Sequence, residues 1–341
     1  MASLASWLML IVSAGFMLPA MAAAAPPSTA GSRGTLLIVN KGDQTLGIVD
    51  PAAGKEVATV KLSGFTGHEV AASPDGKLAY VPIYGNSGVG SPGTNGDSVD
   101  VIDIASRKIV HIIKMPSAVR PHCAIYAPDG MLYVSSELSK SVDIINPKTN
   151  EVVGSIPTEQ KESHMIALTT NGEKGYTANV GAGTVTALDI TGRRAITVIP
   201  VAKTVQRISV SENNRWAFTT DQHQPRLAVI DTRTNKVSRW VPLPGIGFGS
   251  RATLDGKYEL VTIPNKNLIA VVNLRTMKVV RSVEVPSAPQ EIVLNPAGKL
   301  AYVSCDRSRQ IAVLNLDNWK VDKLIQAGRN CDGMAWASAQ D

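Results

Sequence analysis

Residues 120–157 read RPHCAIYAPDGMLYVSSELSKSVDIINPKTNEVVGSIP. Apolar and polar positions alternate through four short runs, HCAIYA, MLYVS, SVDIIN and EVVGSI, separated by the polar clusters PDG, ELSK and PKTN. Short alternating runs bounded by Pro, Gly, Asp and Asn predict four β-strands joined by tight turns. A lone four-stranded sheet of this kind has two apolar faces and can cover neither. The unit therefore needs neighbours of its own type.

The rest of the chain supplies them. The turn after the first strand recurs as PDG at 74–76, PDG at 128–130, TNG at 170–172, ENN at 212–214, LDG at 254–256 and PAG at 296–298. Its last position falls at 76, 130, 172, 214, 256 and 298, a spacing of 54 and then 42 four times. Most of the first excess is YGNSGVGSPGTNGD, residues 84–97, between the second and third strands of that unit. Residues 35–62 carry second, third and fourth strands without a first, and GMAWAS at 333–338 is a first strand with nothing after it. Joined, the two ends make a seventh unit, which closes a ring and removes exposed sheet edges. Seven units of about 42 residues with shared ends predict an all-β fold, a seven-bladed β-propeller over residues 34–338.

Composition fits one large repeat domain. The chain has 341 residues, 44% hydrophobic and 18% charged, with Gly and Pro numerous enough for many turns. The first 25 residues differ in kind. From Leu4 to Ala25 there is no charge, and WLMLIVSAGFML precedes the small-residue run AMAAAA. That is the pattern of a secretory signal, with Ala20-Met21-Ala22 the best cleavage site. Residues 1–25 are thus read as a signal peptide and 26–33 as a linker. The expected location is periplasmic or secreted, with no membrane span after cleavage. The formal charge of +6 makes the domain mildly basic, far from a polybasic tract. A monomer is expected.

GYTAN at 175–179, followed by V-x-x-x-D, and AYVSC at 301–305 resemble the YVTN repeat. Over about residues 34–338 the chain is similar to exported YVTN-family β-propellers. The resemblance implies the fold. It leaves activity open, because such propellers include binding proteins, lactonase-like enzymes and redox-associated domains.

In a propeller the first strand lines the central channel, and the loop between strands two and three lies at its top mouth, where binding loops vary freely. The residue eight before each turn position is His68, His122, His164, Gln206, Phe248 and Gln290, and the next step gives Asp332. Three of the five His share one repeat phase on consecutive blades. Random placement would put a given His there about one time in 42. The set reads as solvated positions copied with the repeat, as a ligand-binding site, or as a transition-metal site for Cu or Zn on His68, His122 and His164. Nitrous oxide reductases have a similar ring with histidines on a copper cluster, but this chain lacks most of that ring and any cupredoxin domain.

The next phase holds Glu69, Cys123, Met165, Arg207, Gly249, Glu291 and Gly333. His164, Arg207, Arg251 and Glu291 resemble the set that lactonase or muconate-cyclising propellers use, with a His base and Arg clamps on a carboxylate. Strand alternation predicts that His68 and Glu69 face opposite sides. His111, on an outer strand, and His223, in DQHQP, read as surface residues. The insertion at 84–97 is expected to form a mobile lid containing Tyr84. It holds a formal GxGxxG, yet opens no helix and contains Pro92, so it is no dinucleotide fingerprint. Walker, nucleophile-elbow, CxxCH and zincin patterns are missing from the sequence. Cys305 and Cys331 are expected to pair in a disulfide pinning the closing blade, with Cys123 left over. Trp216, Trp240 and Trp319 are expected in the core, and Trp336 is expected to pack in the closing blade.

These readings point first to an exported recognition or scaffold propeller that binds a small-molecule ligand, a protein partner or a metal ion at the top mouth. A lactonase- or cyclase-like enzyme at the same mouth is the alternative. Weak binding to nucleic acid or anionic polymers through the basic surface comes third.

Overall fold

The structure is a computed structural model that describes residues 34–339; the segments 1–25 and 26–33, expected to be signal peptide and linker, lie outside them. The described residues form seven four-stranded antiparallel sheets. Six are consecutive in sequence: blade I (71–114), blade II (121–157), blade III (163–200), blade IV (205–242), blade V (250–284) and blade VI (289–326). Blade VII sets Cys331–Ser338 beside Gly34–Asn40, Thr45–Asp50 and Lys55–Lys61. Successive inner strands touch around the ring, and that of blade VII touches those of blades I and VI. The protein is a seven-bladed β-propeller closed by strands from both ends of the chain, with Leu36 opposite Trp336, Leu37 opposite Ala335 and Ile38 opposite Met334.

The alternating pattern sorts the strands by depth. Second and third strands are covered on both faces: Leu132–Ser136 is buried throughout and Ser141–Asn146 up to its last residue. The fourth strand Glu151–Pro157 alternates exposed and half-buried positions, as an outer strand should. Cores form between blades. Tyr133, Val142 and Ile144 of blade II meet Ile166, Tyr176 and Val185 of blade III. Burying each such side chain contributes roughly 1.5–3 kcal/mol. The turn position that reads Gly five times and Asn once is left-handed in all six units, from Gly76 at φ 68° to Asn214 at φ 57°. Gly adopts that conformation freely and Asn tolerates it, which explains the periodic signal.

Three expectations change. The 84–97 insertion is not one loop: Leu78–Gly85 and Asn95–Asp103 extend into it, and Tyr84 is a fully buried strand residue. The connecting loop 86–94 is tied down, with Thr94 N–H donating to Asn86 Oδ1 at 2.7 Å and Arg120 donating to Ser91 O at 2.8 Å. Cys305 and Cys331 are free, buried thiols, as is Cys123. Their sulfurs aim at carbonyls, Val303 O at 3.5 Å and Gln310 O at 3.8 Å, instead of at each other. Burial pushes both thiols up to about 12. The Trp216, Trp240 and Trp319 rings border the core without entering it, whereas Trp336 packs in the closing blade as expected. Trp216, Trp319 and Trp336 are half-buried at cluster edges, and the Arg226 guanidinium sits 3.8 Å from the Trp240 ring centroid. A ring with one wet edge suits that position.

Blade VII makes the inner strands mutually dependent, so a terminal-strand core residue should matter as much as an internal one. Leu37→Ala, at a fully buried site, is expected to cost about 2–5 kcal/mol in chemical denaturation. Val110→Ala, on an exposed outer strand, should change stability by less than about 0.5 kcal/mol. Equal effects would contradict the closure.

Candidate functional site at the channel mouth

Five of the seven inner strands share a defect that helps build the site. Pairing slips by one residue between Pro121 and Ala124, between Ser163 and Met165, between Gln206 and Ser209, between Pro289 and Ile292, and opposite Ile38–Asn40. Such a bulge places two residues against one and re-aims their side chains. Strict alternation therefore fails here, and two adjacent repeat phases supply the channel. Glu69, Arg207 and Glu291 join the channel cluster, whereas Cys123 and Met165 pack into the core between blades II and III. Arg207 lies at φ 46°.

The three repeat-phase histidines come together. His122 and His164 stack with ring centroids 3.5 Å apart and planes tilted by 32°, and His68 meets His122 edge-on at 5.1 Å. Tyr84 lies 4.5 Å from His68 and 5.3 Å from His122. The Tyr84 hydroxyl donates to Glu137 Oε2, and Arg120 Nη1 lies 3.3 Å from Glu137 Oε1. His164 Nδ1 stands 3.9 Å from Glu137 Oε2, beyond hydrogen-bond reach. The Nδ1 atoms of both His122 and His164 are buried without a partner.

Burial, with the cations Lys41 and Arg207, pushes His68 down to about 3. Burial and the neighbouring imidazoles hold His122 and His164 well below the usual histidine range. All three are neutral rings, each with one N–H and one lone pair. Leaving a buried polar atom unmatched costs about 1–3 kcal/mol, and such atoms call for an explanation. Among the described residues no three His, Cys, Asp or Glu side chains are grouped to hold a metal ion.

The opposite part of the channel is an ion cluster. Arg207 of blade IV places Nη2 2.5 Å from Asp332 of blade VII, and Nη1 2.9 Å from Glu69 at the entrance to blade I. The same Nη1 is 3.6 Å from Glu291 of blade VI. Its guanidinium also lies 5.3 Å from the Phe248 ring centroid. Lys41 Nζ bonds Asp332 Oδ2 at 2.7 Å. Burial opposes the Asp332 charge, yet Lys41 and Arg207 hold its carboxyl below the usual range. Glu69 and Glu291 are both shifted up by burial despite Arg207; Glu291 adds to the rise at Glu69, whereas the contact with Glu69 lowers Glu291. Two carboxyls crowded on one guanidinium favour keeping a proton between them.

The remaining predicted residues scatter. Gln206 Oε1 accepts from the Arg207 N–H and Gln290 Nε2 donates to Ala288 O, both local contacts. Arg251 is exposed, and His111 and His223 are exposed as expected. Glu137, Arg120 and Lys41 are site residues that sequence reasoning missed. Glu137 and Lys41 occupy the same step of the turn after strand two, the position following Ser136 and Asn40. That phase was available in the repeat alignment, but a charged turn residue reads as surface.

No protein-family model matches the chain, and no curated protein does. Among solved structures, Kuenenia stuttgartiensis hydrazine synthase superposes with a TM-score of 0.72 at 20% identity, covering 85% of this chain and 93% of that one. Dihydro-heme d1 dehydrogenase NirN in complex with DHE superposes with a TM-score of 0.63 at 13% identity, covering 93% of this chain and 78% of that one. At these identities the likeness is one of fold.

Removing Arg207 would leave three carboxyls without their shared cation. Arg207→Met is expected to cost about 3–5 kcal/mol at neutral pH. The loss should shrink as pH falls into the carboxylate range, because protonation then neutralises the orphaned groups. Denaturant titrations of both proteins at several pH values check this; a pH-independent cost would contradict it.

Proposed function

We propose that the protein is an exported, YVTN-type β-propeller that recognises a small ligand or partner at its top channel mouth and performs no chemistry on it. The carrying observation is the pair of buried, unpartnered Nδ1 atoms on His122 and His164, within an arc of three neutral imidazoles. A ligand that completes those hydrogen bonds recovers a cost the free protein bears. Tyr84 supplies an aromatic wall beside the same rings.

Recognition is favoured over lactone chemistry by the state of Arg207. An enzyme clamping a substrate carboxylate needs a free guanidinium, and this one already faces Glu69, Glu291 and Asp332. Arg251, the other clamp of that set, is exposed. The NirN neighbour was solved with DHE, a ligand of that protein; it supports only the idea that a ring of this shape can present a ligand.

Thermal-shift measurements with a metabolite library, and with Cu²⁺ and Zn²⁺ as separate probes, test the reading. A true ligand at roughly a hundred times its Kd should raise Tm by about 5 °C. The shift should be lost in His122→Gln and His164→Gln. Hits that are indifferent to both substitutions would place binding elsewhere. Turnover of lactones that is abolished by His164→Ala would replace recognition by catalysis.

A further inference from the structure

A second concavity lies beside the histidine arc and shares the Arg120–Glu137 pair with it. It is a cleft of about 420 Å³, walled on one side by Gly90, Ser91 and Pro92 of the 86–94 loop. The other side carries Leu138, Lys140 and Lys161, from blade II and the entrance to blade III. The loop belongs to the one insertion that breaks the 42-residue spacing, so no other blade has this wall.

The floor is built, with Arg120 paired to Glu137 and the Glu162 carboxylate beside them. Arg120 and Glu137 are 4% and 2% exposed. Arg120 donates to Asn95 Oδ1 at 2.6 Å and to Ser91 O at 2.8 Å, and its Nη1 pairs with Glu137. Gly90 N–H donates to Glu137 Oε1 at 3.3 Å, which fixes the loop to the floor. The Glu162 carboxylate packs on Gly90, where an added Cβ would lie 2.6 Å from its Oε1. Gly90 itself is at φ 68°, so a side chain is excluded there twice over.

The rim is not balanced. Lys140 and Lys161 are exposed, and among the described residues neither lies within 4.0 Å of a carboxylate. Lys114, Lys257 and Lys299 elsewhere each pair with an aspartate. The Lys140 backbone is held, at φ 54°, with its carbonyl accepting from Thr158 and Glu159 N–H. Between the two ammonium groups and the loop, Leu138 leaves an apolar side chain 46% exposed, with Pro92 on the facing wall. Two unpaired cations over an apolar surface above a rigid polar floor match an anion with an apolar body.

We propose that this cleft binds a small organic anion, a carboxylate or phosphate monoester, with its charge on Lys140 and Lys161 and its apolar part between Leu138 and Pro92. Ammonium groups act as point charges and accept either head group. The site is separate from the histidine arc, so each can fail without the other.

Calorimetric titration with 3-phenylpropionate, phenyl phosphate and neutral 3-phenylpropionamide tests it. At least one anion should bind, about tenfold or more tightly than the amide, since two cations at the upper end of exposed-pair strength supply that factor. Lys140→Glu with Lys161→Glu should remove the preference while Tm stays unchanged, because both side chains are exposed. His122→Gln should leave anion binding intact. Binding of one anion alone identifies the head group. Absence of binding by both anions, equal binding of the amide, or unchanged affinity in the double variant would overturn the proposal.

Discussion

The Arg207 guanidinium is the interaction on which the channel depends. It starts from blade IV and meets carboxyls carried by or entering blades VII, I and VI, so it crosses the axis of the ring. No covalent link closes this propeller; the described cysteines are free. Closure rests on the shared sheet of blade VII, on the cores between blades, and on this one cation. A buried charge is tolerable only when it is paired, and here one guanidinium hydrogen-bonds Asp332 and faces Glu69 and Glu291, with Lys41 assisting at Asp332.

That cluster also sets the electrostatics of the other side. Lys41 and Arg207 add to burial in discouraging protonation of His68, and Arg207 does so for His122 and His164. Neutral imidazoles stack closely at little repulsive cost, which charged ones could not do. The result is a channel divided by role. One part is a structural ion cluster, matched by charge although Arg207 Nη1 and Glu69 Oε1 make no aligned hydrogen bond. The other is neutral and leaves polar atoms unmatched, the local inconsistency expected where a folded chain serves a ligand.

Much of this was legible in the chain. The turn position occupied by Gly76, Gly130, Gly172, Asn214, Gly256 and Gly298 marks a left-handed step, so spacing and residue type agreed. The His68, His122 and His164 phase followed from that alignment. The bulge in the inner strands was not legible, because pairing register depends on the partner strand. It puts Arg207 and Glu291 into the same cluster as Asp332, against strict alternation. Glu137 and Lys41 looked like turn residues, and only the ring geometry turns them inward. The Gly-rich sequence after Tyr84 reads as a lid, yet strand pairing runs through Gly85. For Cys305 and Cys331, repeat position indicated the same seam but could not give the direction of either sulfur.

The division of the channel is tested most directly by ¹⁵N NMR of the histidine rings during a pH titration. The account predicts that His68, His122 and His164 keep the shifts of neutral imidazole from neutrality down to about pH 5, since burial and nearby cations hold all three below the ordinary value of about 6.5. A titration of any of the three centred near that ordinary value would contradict it, and with it the claim that these rings wait neutral and unpaired for a ligand.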